Sequence, residues 1–171
     1  MKKWTPIVFG PILAIVALAA IIGWMLPAEH SATRSLGLKQ TPEAVWQAIT
    51  DYPAMPSWRK GLTKIERLAD RDGHAVWKET AGRWEVPLED LDVEPPRRLV
   101  RKVADPDLPY GGAWTYLVTP ADGGSRITIT EEGFVKNPIF RLMARLGNKR
   151  EAIDNFLTAL AQKFGEPPKL E

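Results

Sequence analysis

The sequence predicts an α+β domain, a curved antiparallel sheet wrapped around a long C-terminal helix and preceded by one transmembrane helix. Three observations carry this reading. Residues 7–26 hold no charge; a helix start at Thr41 is followed by strand-like runs with short turns between them; and apolar residues recur at helical spacing from Ile139 to Phe164. Short connections pair neighbouring strands antiparallel, and a sheet with one apolar face needs a helix layer to cover it.

The first element runs from Ile7 to Leu26, twenty uncharged residues. At a rise of 1.5 Å per residue that length matches the roughly 30 Å hydrocarbon core of a bilayer. Trp4 and Trp24 stand at its ends, where amphipathic rings favour the headgroup level. The run is longer than the apolar part of a signal peptide, and Leu26-Pro27-Ala28 is a poor cleavage match, so the segment is expected to stay attached. Lys2 and Lys3 precede it while Glu29 and His30 follow, which orients residues 29–171 towards the periplasm or cell exterior. Residues 1–28 then form a cytoplasmic tip and anchor, 29–32 a tether, 33–165 the folded domain and 166–171 a tail.

Within the domain, residues 34–39 read as a weak first strand. Thr41-Pro42-Glu43 is a helix start, with a Thr cap, Pro at the first helical position and an acid in the first turn. Asp51-Tyr52-Pro53 ends that helix, and Pro53 and Pro56 allow at most one short turn of helix up to Trp58. Strand-like runs follow at 62–68, 74–80, 83–93, 97–103, 112–119 and 125–135, broken by turn residues such as Asp72-Gly73, Ala81-Gly82 and Pro95-Pro96. Pro87 inside one run predicts an edge strand or a bulge. Pro138 opens the last helix, whose stripe of Ile139, Leu142, Met143, Leu146, Ile153, Phe156, Leu157, Leu160 and Phe164 is interrupted at Gly147 and stops at Gly165.

Composition removes several chemistries. There is no cysteine, hence no disulfide, thiolate nucleophile or zinc–thiolate site, and two histidines cannot build a three-histidine metal centre. The formal charge is +2, from 23 Lys and Arg against 21 Asp and Glu, which is no nucleic-acid footprint. No phosphate loop, metal-ligand spacing or nucleophile elbow is present, so no cofactor or metal is expected.

The order of elements, together with Thr41-Pro42-Glu43-Ala44-Val45-Trp46, Asp51-Tyr52-Pro53 through Pro56-Ser57-Trp58, and Glu131-Glu132-Gly133-Phe134 ahead of Lys136-Asn137-Pro138, resembles the START-like (SRPBCC) superfamily of polyketide cyclases and birch-pollen-allergen-like proteins. The likeness covers residues 31–165. It implies a helix-grip fold, with an apolar cavity between sheet and C-terminal helix for a lipid, polyketide or other hydrophobic molecule.

Five of the seven tryptophans lie in the domain. Period-two alternation puts Trp84, Val86 and Leu88 on one strand face and Trp114, Tyr116 and Val118 on another. A pocket of roughly 300–1,000 Å³ would then be walled by Trp77, Trp84, Trp114, Tyr116, Met143 and Ile153, while close packing alone would make the same residues plain core. Glu79, Arg83 and Glu85 flank the Ala81-Gly82 turn, as rim charges or as solvated cross-strand pairs. His74 follows Asp72-Gly73 and reads as a turn residue. Of the adjacent Glu131 and Glu132, one must face inward if the strand is regular; a strand end or bulge would expose both, and that exposed reading is the one expected. Lys136, Arg141, Arg145, Lys149 and Arg150 form a basic row, read as a solvated helix face.

Three functions stay open: a membrane-anchored binder of a hydrophobic molecule or lipid, a cyclase-like enzyme using Glu79, Glu85 or Glu132 in the cavity, and a non-catalytic interaction protein of a membrane complex. A buried unpaired carboxylate at an open cavity favours the enzyme, an apolar cavity the binder, and a filled core the interaction protein.

Overall fold

A computed structural model describes residues 5–147 and 150–171. Lys2, Lys3, Trp4 and Lys149, used above for orientation, anchoring and the basic row, lie outside these residues. Helix α1 (Thr5–Met25) forms over the uncharged run. Strand β1 (Glu29–Leu38) follows, then α2 (Pro42–Thr50), a 3₁₀ helix (Tyr52–Ser57), strands β2 (Lys64–Arg67), β3 (Ala75–Ala81), β4 (Trp84–Glu94), β5 (Arg98–Val103), β6 (Tyr110–Ala121) and β7 (Gly124–Val135), and helices α3 (Pro138–Leu146) and α4 (Glu151–Lys163).

The strands form one seven-stranded antiparallel sheet in the order β1-β7-β6-β5-β4-β3-β2. One face is apolar by alternation: Leu36 of β1, Val118 of β6 and Ile127 and Ile129 of β7 are all but inaccessible. Ile153, Leu157 and Leu160 of α4 pack on that face, with Val45 and Ile49 of α2 completing the core. The α+β helix-grip arrangement is therefore as the sequence predicts.

Local chemistry explains the boundaries. Thr41 caps α2 by accepting the Ala44 N–H at 3.3 Å, and Asn137 caps α3 by accepting from Ile139 and Phe140. Pro87 is not on an edge strand, since β4 lies between β3 and β5. Its carbonyl accepts the Ala104 N–H just past the Leu88–Val103 pair, so its missing donor falls where the β4–β5 ladder ends. The bulge sits farther on, between Asp90 and Asp92.

Four expectations need correction. Residues 29–32 are not a tether but the start of β1, paired to Phe134–Glu131 of β7. The tail 166–171 is not loose: Glu171 exchanges two backbone hydrogen bonds with Ser35, and Leu170 bridges Leu36, covering the exposed edge of β1. The single C-terminal helix is two. Gly147, with ψ of 174°, turns the chain out of helical geometry while its N–H still reaches Met143.

The fourth concerns the membrane. Among the described residues no helix is long and apolar enough to cross a membrane, which overturns the single-pass anchor and, with it, the topology argument that set residues 29–171 outside the cytoplasm. The C-terminal end of α1 is instead docked on α3. Gly23 lies so close to the Pro138 carbonyl that a Cβ there would collide with it. Arg141 of α3 donates to the carbonyls of Gly23 and Leu26, at 3.4 and 3.0 Å, closing the open C-terminal turn of α1.

Candidate functional site: a small cavity beside a buried ion-pair network

Between the apolar sheet face and α4 lies a cavity of about 110 Å³. Its walls are Leu88 of β4, Trp114 and Tyr116 of β6, Ile129 of β7 and Ala152, Ile153 and Phe156 of α4, with Arg59 and Glu79 supplying the polar side. The register explains the meeting of β6 and β7: Tyr116 lies opposite Ile129 and Trp114 opposite Glu131, so the inward residues of both strands share one face. The Tyr116 and Phe156 rings meet edge-on with centroids 5.6 Å apart. The void is smaller than the 300–1,000 Å³ range, because Phe156, Ile153 and the strand aromatics fill most of the space the sequence left for a ligand.

The six expected wall residues separate into three groups. Trp114, Tyr116 and Ile153 line the cavity. Trp77 packs against the core instead, with its ring 4.7 Å from that of Tyr52. Trp84 and Met143 are 61% and 62% exposed and stand away from it. Trp84 shares a face with Leu88 but lies at the tip of the β3–β4 hairpin, opposite Ala81 and beyond the cover of α4, where the Arg83 guanidinium sits 5.6 Å from its ring. Met143 is on α3, which packs on α1.

Of the three expected rim charges, only Glu79 reaches the cavity. Arg83 stays at the hairpin tip, and Glu85 is an exposed partner of Lys78 at 3.2 Å. Glu79 alternates inward with Trp77 and is clasped on both oxygens, by Arg59 Nη1 at 2.9 Å and by Arg101 Nη1 at 2.9 Å. Arg101 is 2% exposed. Its Nε donates to Asp90 at 2.8 Å, and the other Asp90 oxygen accepts the Tyr52 hydroxyl at 2.9 Å. The Arg101 guanidinium also lies 4.4 Å from the centroid of the Tyr52 ring.

Sequence reasoning names none of Arg59, Arg101, Asp90 and Tyr52 as a site residue, and places Tyr52 only at a helix end. The usable signal was alternation: Leu99, Arg101 and Val103 share one face of β5, and Leu88 and Asp90 one face of β4. A charge flanked two residues away by buried aliphatics must go inward with them.

Electrostatics follow from burial and pairing. Burial opposes the Arg101 charge, but Tyr52, Glu79 and Asp90 outweigh it and hold the guanidinium charged above its ordinary range. Burial pushes the Tyr52 phenol far up; Arg101 draws it partly back, and Asp90 adds to the rise. Burial likewise raises Tyr116, against the pull of Arg101 and Arg59. Both phenols are thus neutral donors through the physiological range.

Glu131 and Glu132 differ. Glu132 is exposed, whereas Glu131 faces inward, meets His30 Nε2 at 3.1 Å and leaves its Oε2 buried without a partner. The exposed reading of this pair is therefore corrected for Glu131: β7 stays regular opposite both β1 and β6, so alternation carries through. His74 sits in the Arg71–His74 turn, with Nδ1 2.9 Å from Glu89 on the far side of β4 from the cavity. Among the described residues no three metal-ligating side chains converge.

This sheet-and-helix cavity is the architecture of the START-like class. The family described as polyketide cyclase / dehydrase and lipid transport matches residues 29–165, and the chain belongs to it. No curated protein matches the sequence. Among solved structures, the chain is similar to a Mesorhizobium loti protein, with 21% identity over 80% of this chain and 97% of that one and a TM-score of 0.61. It is similar as well to a START superfamily protein from Mycobacterium smegmatis, with 13% identity over 79% and 95% and a TM-score of 0.59. Norcoclaurine synthase from Thalictrum flavum gives 15% identity over 80% and 93% and a TM-score of 0.61. At these identities the structures share the fold.

Proposed function

We propose that the protein binds a small hydrophobic molecule in the cavity between the sheet and α4. The observation that carries this is the void itself, lined by Leu88, Trp114, Ile129, Ile153 and Phe156. An apolar cavity of about 150 Å³ stays dry and takes up benzene, so a void of this order suits a ligand near the size of one ring.

The binder is favoured over the cyclase-like enzyme by the state of the cavity carboxylate. A general base must stand within hydrogen-bond reach of the proton it removes, directed at it and not held by other partners. Both Glu79 oxygens are instead occupied by arginines, and Glu85 and Glu132 lie outside the cavity. The unfilled void speaks against a purely structural core.

Titration of the full chain with an apolar one-ring ligand tests the reading by tryptophan fluorescence, since Trp114 lines the site. Saturable quenching in the wild type and its loss in Ala152→Leu, which fills the void from α4, is the expected result. Binding that survives Ala152→Leu unchanged would place the ligand elsewhere.

A further inference from the structure

Beside the cavity each carboxylate oxygen of the ion-pair network already accepts a hydrogen bond, while Tyr116 on the cavity wall donates none among the described residues. Glu79 and Asp90 are the acceptors of the network, and each oxygen of both is already taken, by Arg59, by Arg101 twice and by Tyr52. Behind that wall, outside the cavity lining, the buried Arg101 Nη2 has no partner. Tyr116, whose side chain lines the void, makes only its ring contact with Phe156 and no hydrogen bond among the described residues. The Tyr116 hydroxyl is therefore free to donate to a molecule in the cavity.

The charges set the kind of acceptor. Arg59 and Arg101 contribute two positive charges and Glu79 and Asp90 two negative, so the network is already neutral. A carboxylate brought into this site would arrive without a counter-charge, and burying an unpaired anion is strongly unfavourable. A carbonyl or hydroxyl oxygen supplies lone pairs without that penalty.

We infer that the ligand of this cavity is an uncharged, roughly one-ring molecule bearing a carbonyl or hydroxyl oxygen, which accepts a hydrogen bond from the Tyr116 hydroxyl. The inference rests on the cavity reading above and narrows it from hydrophobic molecules in general to neutral oxygenated ones, excluding fatty-acid-like anions. Tyr116 is the residue that confers the preference. Trp114, Ile129 and Phe156 hold the ring and do not distinguish one head group from another.

Three probes of one shape separate the possibilities: acetophenone, its hydrocarbon counterpart α-methylstyrene, and benzoate. Each is titrated into the full chain, wild type and Tyr116→Phe, with tryptophan fluorescence and calorimetry as readouts. The expected order is acetophenone tightest, α-methylstyrene weaker by roughly three- to tenfold, the worth of one neutral hydrogen bond, and benzoate weakest. Tyr116→Phe should bring acetophenone down to the α-methylstyrene affinity and leave α-methylstyrene unchanged. Benzoate binding as tightly as acetophenone overturns the neutral class. Equal binding of acetophenone and α-methylstyrene, or an unaltered acetophenone affinity in Tyr116→Phe, overturns the hydrogen bond while the cavity stands. Failure of all three to bind overturns the cavity reading and this inference together. Tyr116→Phe removes a hydroxyl without a protein partner, so an unchanged melting temperature verifies that the variant is folded.

Discussion

Arg101 Nη1 donates to Glu79 Oε1 across 2.9 Å, joining the inward faces of β5 and β3 two strands apart beside the cavity. Asp90, on the strand between them, takes the Nε of the same guanidinium at 2.8 Å. One side chain thereby ties three strands, and its planar fork is what permits it: a lysine ammonium is a point charge and cannot meet two carboxylates with the same geometry.

Removing that fork should be severe. Arg101→Ala leaves Glu79 with Arg59 alone and Asp90 with only the Tyr52 hydroxyl, both in a buried setting. A loss of about 3–5 kcal/mol is expected, read from urea unfolding, and Arg101→Lys should recover only a part of it. A loss below about 1 kcal/mol, the scale of an exposed pair, would show the network to be solvated.

Alkaline pH should destabilise the fold through its buried phenols. Tyr52 and Tyr116 are both raised above the ordinary tyrosine value, principally by burial. Below about pH 10 both folded and unfolded chains keep these protons, and nothing is lost. Above it the unfolded chain releases protons that the folded chain retains, so stability falls as pH rises, by about 1.4 kcal/mol per pH unit for each phenol. Urea midpoints between about pH 9 and 11 should show this decline, shallower in Tyr116→Phe. A slope indifferent to that substitution would remove Tyr116 from the account.

The division of the C-terminal segment into two helices makes a contrast. Leu157 of α4 is wholly buried in the core, while Met143 of α3 is largely exposed. Leu157→Ala should cost about 2–5 kcal/mol by leaving a cavity, and Met143→Ala should stay within about 0.5 kcal/mol. Comparable losses would mean that both helices cover the sheet as one.

His74 lies off the cavity, bound to the buried Glu89. His74→Ala is expected to cost about 1 kcal/mol, the worth of that hydrogen bond, and to leave ligand affinity unchanged. A tenfold change in affinity with folding preserved would bring His74 into the site.

Much of the fold was legible because its devices are local. Thr41-Pro42 starts α2 through a cap within one turn, and the alternation of Trp114, Tyr116 and Val118 predicts their shared face without knowledge of partners. Other features depended on what sequence does not carry. Trp84 has the same parity as Leu88, yet lies at a hairpin tip that no helix covers. Glu79 looked like a rim charge by its nearness to Gly82, but its parity with Trp77 sends it inward, where two arginines from distant strands and loops await it. Met143 fits the helical stripe, but the break at Gly147 places it on another helix. The uncharged run gives helix α1, as composition requires, whereas its docking on α3 depends on Gly23 meeting Pro138 more than a hundred residues away.

The central claim is that a ligand enters the void between the sheet and α4, and methyl NMR of the full chain reads this residue by residue. On titration with acetophenone, the methyls of Leu88, Ile129 and Ile153 should shift together and saturate, with Met143 unmoved and the response abolished in Ala152→Leu. Shifts confined to Met143 and its surroundings on α3, or none at Ile129 and Ile153 at saturating ligand, would contradict it.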